Sequence, residues 1–490
     1  MLLKSAVGIF LDFVQVYTGL FILNLILSCI IIFMERRKPT STLLWVMTIN
    51  FLPIIGFIIY LLFGQDLSKK KMFQKKGQVD KEIKTFLQTQ FEEIRSGEYY
   101  FLNKKTKDND ELIAMFNSSE NGAFYQYNDM KVYTDGREKF KDLFNDIRNA
   151  KHSIYIQYYI LKSDELGTEM LDLLIEKVKQ GVEVLLLVDG MGARKFSFKE
   201  RARVEESGVK LAIFFPGILP KINTHVNYRN HRKIAIIDNV IGYVGGLNVA
   251  DEYVSRDKKF GFWRDTHLRI QGPAVSGLQW RFFLDYRFAA GNGSGGFITP
   301  LNFGKRNGTK DICVVSSGPD TKAHAIRHGY SKMITRAKER LYIQTPYFVP
   351  DEGLLNDLKI AAMSGVDVRI MIPKIKDHPF VHWASMSFLG ELIKWGVKVY
   401  LYEGGFLHSK VLISDDYVSS VGTANFDIRS FELNFEVNAF VFDYEINSEL
   451  IKAFEEDVQK SEEITLEDYE NRKAYYKMKE SVSRLLSPIL

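Results

Sequence analysis

The first 64 residues contain two long apolar stretches without a charged side chain. One runs from Phe13 to Met34 and the other from Leu43 to Gly64, each about 22 residues long. About 20 helical residues cross a bilayer core. A cleaved signal peptide fits poorly, because the first stretch is too long and a second one follows directly. The pattern predicts a transmembrane hairpin over residues 1–67, kinked at Pro53.

Basic residues near the ends of the predicted spans indicate their orientation. The short loop between the spans contains 36-RRK-38, whereas the other side carries Lys4 and five further lysines: Lys69, Lys70, Lys71, Lys75 and Lys76. This excess predicts a protein of the cell membrane with two spans and with the rest of the chain on the cytoplasmic side.

Beyond a polar segment over residues 68–117, predicted as a connector, apolar runs alternate with amphipathic ones. A buried strand is predicted over Ser153–Leu161, a helix over Thr168–Gln180, and a second strand over Val182–Gly190. Gly181 is the stop signal of the helix. Strand, helix and strand in this order form a βαβ unit, which predicts an α/β protein with a mixed sheet.

The same unit recurs later in the chain. The segment Ala150–Ile160 is echoed by Ala337–Phe348, and Gly181–Asp189 is echoed by Gly365–Pro373. This spacing is too large for a solenoid. It indicates a duplicated domain whose two copies are related by a pseudo-two-fold axis, each carrying one half of a shared site.

We place the first copy at residues 118–309 and the second at 310–490. The glycine-rich stretch Gly291–Gly296 between them is predicted to be a flexible linker.

The amino-acid composition argues against a nucleic-acid partner and against a thiolate metal cluster. The 490 residues carry 65 basic and 60 acidic side chains, a net charge of +5. A nucleic-acid binder usually has a concentrated basic face, so this balance predicts no nucleic-acid partner. The two cysteines, Cys29 and Cys313, are too few for a thiolate metal cluster.

Each copy contains one instance of the same composite motif. The first is HRKIAIIDNVIGYVGGLN at His231–Asn248, and the second is HSKVLISDDYVSSVGTAN at His408–Asn425. In both, Lys follows His by two residues, Asp by seven, Gly by fourteen and Asn by seventeen. A single match would carry little weight, but two at corresponding places of a duplicated fold are a strong signal.

The spacing has a physical rationale. In a strand, residues i and i+2 project to the same side, so Lys233 accompanies His231 and Lys410 accompanies His408. The glycines permit close approach of a ligand to the backbone. Asn248, and Asn425 in the second copy, can donate to a phosphoryl oxygen.

The two motifs resemble the paired HKD motifs of the phospholipase D superfamily. Their flanks are similar to bacterial cardiolipin synthases, notably FWRDTHLRIQGPAV, IQTPYFVPD and the terminal SRLLSPIL. The resemblance covers nearly the whole chain. It implies conversion of two phosphatidylglycerol molecules to cardiolipin and glycerol by ping-pong transfer. Phosphatidylglycerol and anionic membrane lipid are the expected partners, and no metal or other cofactor is implied.

The resemblance also implies roles for individual residues. His231 is expected to form a phosphatidyl-histidine, and His408 to protonate the leaving glycerol and deprotonate the incoming alcohol, although the reverse assignment stays open. The non-bridging oxygens would be neutralised by Lys233 and Lys410, together with the two motif asparagines.

The remaining carboxylates of the motif regions have two expected roles. Asp265 and Glu436 match the positions of residues that orient the histidines. Asp238 and Asp415 belong to the catalytic motif, but a structural role as a cap or ion pair at a strand end is an open alternative.

Several other segments leave alternatives open. His225, His267, His378 and His382 lack metal-ligand spacing and are expected to be structural or to line the substrate site. The loop Leu211–Pro220 and the segment His378–Gly396 contact either lipid or the protein core. The basic amphipathic tail Lys473–Leu490 either binds anionic lipid or docks on the catalytic domain.

The sequence therefore favours a cardiolipin synthase. The alternatives are another phospholipase D-type phosphatidyl transferase or lipid hydrolase, a membrane-tethered nucleic-acid processing protein, and a catalytically silent scaffold, which the two intact motifs argue against.

Overall fold

A computed structural model describes residues 2–34, 39–52, 54–63, 81–216, 228–291, 308–321 and 323–487. The chain divides into two compact units. The first comprises Met1–Gly77 with Ile218–Asn227, and the second comprises Gln78–Gly217 with Tyr228–Leu490.

The first unit is helical where it is described. Its helices are α1 (Leu2–Met34), α2 (Pro39–Phe51) and α3 (Ile55–Phe63). They enclose a small cluster of buried residues, Ile31, Trp45, Ile49 and Tyr60. The rings of Trp45 and Tyr60 meet edge to face at 5.5 Å.

No helix within the described residues combines the length and the apolar character that crossing a bilayer requires. The predicted hairpin of two spans is therefore not confirmed. The basic residues on which its predicted orientation rests, 36–38 and 69–76, lie outside the described residues.

The second unit contains two mixed sheets. The strands of the first are β1 (Gly122–Asp135), β2 (Ser153–Tyr158), β3 (Glu183–Asp189), β4 (Lys210–Phe214), β6 (Ile234–Ile237), β7 (Ile241–Gly245) and β8 (Trp263–Gln271), with the short β5 (Arg229–Asn230) preceding β6. Their order across the sheet is β4-β3-β2-β6-β7-β8-β1, parallel at the β2-β3-β4 end and antiparallel elsewhere.

The second sheet repeats this order. Its strands are β9 (Lys310–Ser317), β10 (Arg340–Gln344), β12 (Asp367–Pro373), β13 (Lys398–Tyr402), β15 (Val411–Ser414), β16 (Val418–Gly422), β18 (Asn434–Phe442) and β19 (Ser461–Ile464). The order β13-β12-β10-β15-β16-β18-β9 corresponds strand for strand to the first sheet, and β19 extends it beyond β13. The predicted duplication of a mixed α/β sheet is confirmed.

Three short strands lie outside this common order. They are β11 (Phe348–Val349), β14 (Phe406–Leu407) and β17 (Phe426–Asp427), of which β11 and β17 pair with each other in parallel.

The strand β1 joins the two sheets. Its first part, from Gly122, pairs with β9, and its last part, to Asp135, pairs with β8. The change of partner coincides with a shift of register after Tyr125, where Tyr127 adopts a positive φ of 66°. Such a bulge bends the strand and lets one element serve two sheets.

Helices cover both sheets. In chain order they are α4 (Lys81–Ser96), α5 (Lys104–Lys107), α6 (Asp110–Ser118), α7 (Gly136–Asn149), α8 (Glu165–Lys179), α9 (Phe198–Glu206), α10 (Val275–Ala290), α11 (Ala325–Arg336), α12 (Glu352–Met363), α13 (Pro379–Ile393), α14 (Ile428–Glu432), α15 (Tyr444–Val458), α16 (Leu466–Glu470) and α17 (Ala474–Leu485). Two 3-10 turns lie at Gly192–Lys195 and Asp251–Val254.

The predicted βαβ unit is confirmed as β2, α8 and β3. All six residues of β2 are buried, as expected of an interior strand. The helix begins earlier than predicted because the side chain of Asp164 caps it, accepting a hydrogen bond from the amide of Gly167.

The segment predicted as a connector does more than connect. Residues 68–80 lie outside the described residues, but from residue 81 the chain packs on the second sheet. Ile94, Leu112 and Phe116 belong to the same buried core as Phe440 of β18. The sequence did not predict that this segment contributes to the core, because only one face of each short helix is apolar and the segment is polar on average.

Candidate active site

Each motif histidine follows a short strand that pairs with a strand of the opposite half. The strand β5 pairs in parallel with β18, and β14 pairs in parallel with β8. The pairing continues into each motif: the amide of His231 donates to the carbonyl of Phe435 at 3.0 Å, and that of His408 donates to Arg264 at 2.7 Å. Each histidine therefore lies beside a strand of the opposite half.

Each imidazole contacts a carboxylate from that opposite strand. His231 Nδ1 lies 3.0 and 3.1 Å from the two oxygens of Glu436, and His408 Nδ1 lies 2.7 Å from Asp265 Oδ2. An ionised carboxylate only accepts hydrogen bonds, so each Nδ1 carries the proton and each Nε2 keeps its lone pair. Asp265 and Glu436 were predicted from the sequence to orient the histidines, but the sequence did not indicate which histidine each carboxylate contacts.

The two histidine side chains are partly exposed to solvent, whereas their carboxylate partners are not. The side chains of His231 and His408 are 12% and 10% exposed, whereas those of Glu436 and Asp265 are fully buried. A ligand can therefore reach the imidazoles, while the carboxylates act only through them.

The motif lysines are buried and held by their own motifs. Lys233 Nζ donates to the carbonyl oxygen of His231 at 2.6 Å. Lys410 Nζ donates to that of His408 at 2.5 Å and also lies 3.0 Å from Nδ1 of the same residue. Each ammonium has three donors, so this contact leaves an anionic ligand within the reach of further donors. We expected His-x-Lys to lie in a strand, but it lies between β5 and β6, and between β14 and β15. Each short strand belongs to the crossing, and the sheet resumes only after the lysine.

Burial shifts the pKa values of these groups toward their neutral forms. It lowers the pKa of His408 to about 4, helped by Lys410 and opposed by Asp265. The pKa of His231 is lowered for the same reason, against the opposing charge of Glu436. Burial also lowers the pKa of Lys410 to about 8 and that of Lys233 well below its ordinary value. The site is therefore prepared for an anion, whose charge would favour the protonated forms.

Both motif asparagines are buried and already have protein partners. Asn248 accepts from the amide of Ile160 at 3.0 Å and donates to the Tyr253 hydroxyl at 2.9 Å. Asn425 Nδ2 donates to Asp427 at 3.2 Å. The structure thus places the asparagines within the motif turns. Asn248 uses both its amide oxygen and one N–H there, whereas Asn425 Oδ1 has no hydrogen-bond partner among the described residues.

The motif aspartates bind backbone at the start of a strand. Asp238 accepts from the amides of residues 151, 152 and 153 at 2.7–2.9 Å, where β2 begins. Asp415 does the same for residues 338, 339 and 340 at 2.8–3.1 Å, where β10 begins. Both adopt a positive φ of 52°. They stabilise the turn after each motif strand rather than contacting the imidazoles.

Two buried ion pairs support the crossing. Arg232 binds Asp285 at 2.5 Å and donates to the Glu436 carbonyl at 3.0 Å. Arg264 binds Asp457 at 2.8 Å and donates to the Asp265 carbonyl at 2.8 Å. In each half a guanidinium therefore holds the backbone of the histidine-orienting carboxylate.

Sequence analysis missed these pairs, although a signal was present. The repeated Tyr-x-Gln segments place Gln157 on Asp285 and Gln344 on Asp457, each at 2.8 Å. The two aspartates therefore occupy equivalent positions. Their arginine partners come from different places, one inside the first motif and the other beside Asp265, so no repeat in the sequence reveals them.

Aromatic side chains surround the histidines. The Tyr159 ring lies 5.0 Å from that of His231, and the Trp263 ring lies 5.3 Å from that of His408. The walls of the site are thus rigid rings that exclude water while leaving the imidazole edges accessible.

The other histidines occupy different environments. His267 is fully buried, His378 precedes α13 with a largely exposed side chain, and burial lowers the pKa of His382 to about 4. His225 lies outside the described residues, as do residues 217–220 of the loop Leu211–Pro220 and most of Gly291–Gly296. The described part of that loop belongs mostly to β4, in which Ala212 and Phe214 are buried in the protein core. Within the described part of the chain, no group of three His, Cys, Asp or Glu side chains is arranged to hold a metal ion.

Comparisons with known proteins identify the family of this chain. The family described as "Cardiolipin synthase, PLD-like domain" matches residues 143–265 and 330–458, one match for each half. A second description, "Phospholipase_D-nuclease N-terminal", matches residues 22–65.

The similarity to curated proteins extends over nearly the whole chain. The major cardiolipin synthase ClsA of Bacillus subtilis is 47% identical over 472 residues, covering 96% of this chain and 98% of that protein. A cardiolipin synthase of Staphylococcus aureus is 46% identical over 480 residues, covering 97% of each.

Among solved structures, a phosphatidylserine synthase of Haemophilus influenzae has a similar fold. Its TM-score is 0.58 at 15% identity, covering 79% of this chain and all of that one. Identity and coverage to the curated relatives are high enough to assign the family. The chain belongs to the cardiolipin synthase family of phospholipase D-like proteins.

Proposed function

We propose that this protein synthesises cardiolipin by moving a phosphatidyl group from one phosphatidylglycerol to another through His231. The observation that carries the proposal is the pair of crossed imidazole–carboxylate contacts beside two buried lysines. This arrangement supplies two imidazoles, each with an Nε2 lone pair, and cations for a phosphodiester.

In the first half-reaction, Nε2 of His231 attacks the phosphorus of the donor lipid. A nitrogen–phosphorus bond forms, the bond to the glycerol oxygen breaks, and His408 gives that oxygen a proton. Lys233 and Lys410 neutralise the non-bridging oxygens as charge develops. Glycerol leaves, and the phosphatidyl group stays on His231.

In the second half-reaction, His408 takes the proton of the primary hydroxyl of a second phosphatidylglycerol. The resulting oxygen attacks the phosphorus, the nitrogen–phosphorus bond breaks, and cardiolipin forms. The proton balance closes, because His408 ends with the proton that it lent in the first step.

The pKa shifts are compatible with this sequence of steps. Burial lowers the pKa of His231 and keeps its imidazole neutral, as a nucleophile requires. Burial likewise lowers the pKa of His408 to about 4 in the empty site. A bound phosphodiester adds negative charge near both rings, which raises the pKa of His408 and loads the proton that the leaving glycerol needs.

The asparagines and motif aspartates play supporting parts in this scheme. Asn248 and Asn425 each use one N–H of the side-chain amide within the turns that follow the motif strands. The second N–H of each amide would donate to a non-bridging oxygen of the phosphodiester. Asp238 and Asp415 fix the ends of β6 and β15 that lie opposite the lysines, by binding the backbone where β2 and β10 begin.

The substrate is a membrane lipid, and we infer that the chain is anchored in the membrane by its N-terminal segment. The inference rests on the uncharged stretches Phe13–Met34 and Leu43–Gly64. The basic residues near their ends favour a catalytic unit on the cytoplasmic side.

Orientation has a direct test. A C-terminal reporter that is active only in the cytoplasm is expected to be active, and protease added to the outside of intact cells is expected to leave the catalytic unit uncut. Cleavage from outside, with an intact membrane, would reverse the assignment.

A covalent adduct on His231 is the expected result that tests the transfer route. The variant His408→Asn, given a phosphatidyl donor with an activated leaving group, should accumulate phosphatidyl-His231, because the base for the second half-reaction is missing. The sample is quenched at neutral or mildly basic pH, since phosphorus–nitrogen bonds to histidine are acid-labile, and the adduct is located by mass spectrometry.

The reciprocal variant His231→Asn is the matched control and should show no adduct. An adduct on His408 in that variant, with none on His231 in the first, would exchange the two roles. Transfer without an adduct in either variant would refute the covalent route. Phosphatidic acid in place of cardiolipin as the wild-type product would identify a hydrolase.

A further inference from the structure

The C-terminal helix α17 docks on the second unit through one face only. On that face Glu480 and Ser483 are buried, and Arg484 binds Glu391 of α13 at 2.5 Å. The Lys479 ammonium lies 4.3 Å above the ring of Trp383, also on α13. These contacts fix the rotation of α17 about its own axis.

The opposite face of α17 carries an apolar stripe, which we define as Tyr475, Met478, Val482 and Leu485. Their exposures are 57%, 60%, 50% and 73%. The spacing of three, four and three residues places them on one side of the helix. A surface helix of a soluble protein normally turns such a stripe inward, but here polar Glu480 is buried and the stripe faces outward.

A basic cavity borders this stripe. Its volume is about 440 Å³, and Lys394 and Lys477 line it together with Ser387 and Ser481. The wall also contains Arg472 and two acidic side chains, Glu470 and Glu480, so that three basic residues face two acidic ones. Arg472 binds Glu480 at 2.5 Å. The flank of the stripe thus offers ammonium and hydroxyl groups of the kind that bind a phosphate.

We propose that the apolar stripe is a membrane-docking surface that lies in the interface of an anionic bilayer, with lipid phosphates at the Lys394–Lys477 flank. The proposal rests on the proposed function, since that function places the substrate in a bilayer. Apolar side chains on one face of a helix with basic residues beside them are the pattern of an interfacial helix.

A second copy of the chain fits this surface less well. A stable protein interface buries about 800 Å² on each partner, more than a stripe of four side chains on a 12-residue helix provides. A symmetric dimer would also press the same lysine-flanked patch of both copies against each other. Like charges oppose that contact, whereas anionic headgroups favour the same lysines.

The docked helix connects to the active site through α13. The segment before α13 contains Asp377, which accepts a hydrogen bond from the Tyr347 hydroxyl. Burial lowers the pKa of Lys410 to about 8, and Asp377 is among the carboxylates that oppose this shift. The helix α13, on which α17 packs, therefore begins within electrostatic range of Lys410. A membrane-bound α17 would hold the part of the active site next to α13 near the lipid surface.

The first test compares two physical forms of the substrate. We expect the full-length variant Met478→Gln/Val482→Gln/Leu485→Gln to lose at least about 10-fold of its activity on vesicles of phosphatidylglycerol and phosphatidylcholine. It should retain wild-type activity on a short-chain phosphatidylglycerol that stays monomeric. Ile360→Gln/Met363→Gln removes equally exposed apolar side chains from α12 and is the matched control.

Equal activity of the stripe variant and the control on vesicles would overturn the docking proposal. Equal loss on both forms of substrate would also overturn it, because the defect would then be structural. A wild-type protein that makes no cardiolipin from either form would instead refute the proposed function.

The second test reads membrane contact without activity. In a Cys29→Ser background, where the remaining Cys313 is buried, a fluorophore is attached at Val482→Cys or at Met363→Cys. In nanodiscs of phosphatidylglycerol and phosphatidylcholine, lipids with nitroxide-labelled acyl chains should quench the label at 482 at least about twofold more than the label at 363. Equal quenching at both positions, or crosslinking of two copies through position 482, would refute the proposal.

Discussion

Alanine at either His231 or His408 is expected to lower the rate of cardiolipin formation by at least about 10⁴-fold. The two imidazoles have separate tasks in the proposed steps, one as nucleophile and one as proton carrier, so neither can replace the other. The rate is measured as cardiolipin formed from phosphatidylglycerol by the purified full-length variant. Each imidazole is only about a tenth exposed and pairs with a fully buried carboxylate, so alanine should also lower the free energy of unfolding, and the folding of each variant has to be measured beside its rate.

A matched control is His152→Ala, which removes an exposed imidazole just before β2. It should behave as the wild type. Thermal unfolding of all three variants checks that each is folded. If a folded His231 or His408 variant kept a substantial fraction of the wild-type rate, the two-histidine mechanism would be untenable.

Glu436→Gln and Asp265→Asn are each expected to lower the rate on the order of 10³-fold. A carboxamide keeps the shape of the carboxylate but loses its charge, and its amino group can face Nδ1 and stabilise the wrong tautomer. Because the pairing is crossed, Glu436→Gln should impair the nucleophile His231. Asp265→Asn should impair the proton carrier His408.

A donor lipid with an activated leaving group separates the two defects. It needs no proton from His408, so it should restore glycerol-analogue release in Asp265→Asn but not in Glu436→Gln. The control Asp416→Asn alters an exposed carboxylate of the second half and should have no effect. Rescue of Glu436→Gln instead would indicate that each carboxylate serves the histidine of its own half, contrary to the geometry.

Local patterns predicted the elements of the catalytic unit well. The strands β2 and β10 lie in the two repeated segments and are buried on both faces apart from Arg340, so hydrophobic runs reveal them directly. The repeat also predicted a duplicated domain, because similar sequences fold into similar units. The role of β1 in both sheets was not visible, since a bulge at Tyr127 has no distinctive residue type.

The site could be predicted as a set of residues but not as a set of pairs. His231 and Glu436 are 205 positions apart, and their contact depends on the parallel pairing of β5 with β18. The sequence of two short strands does not indicate that they pair with each other across such a distance in the chain. The buried pair of Arg232 and Asp285 was missed for the same reason, because an arginine inside a motif is indistinguishable from a solvent-exposed one.

The asparagines illustrate a further limit. Their regular spacing after each motif lysine indicated a shared role, but spacing does not distinguish a ligand contact from a hydrogen bond inside a turn. The structure engages Asn248 with Tyr253 and Asn425 with Asp427. Residues with several donors and acceptors keep this ambiguity until their neighbours are known.

The crossing of the halves also bears on how such a chain can change during evolution. Each histidine is oriented by the other copy, so neither copy contains a complete catalytic pair that selection could preserve alone. A recombinant that takes its first half from a relative combines a foreign Asp265 with a resident His408, and a resident Glu436 with a foreign His231. Exchange of one half therefore alters both histidine–carboxylate pairs at once. A substitution near the site in one copy has to remain compatible with the other copy, so the two copies evolve together.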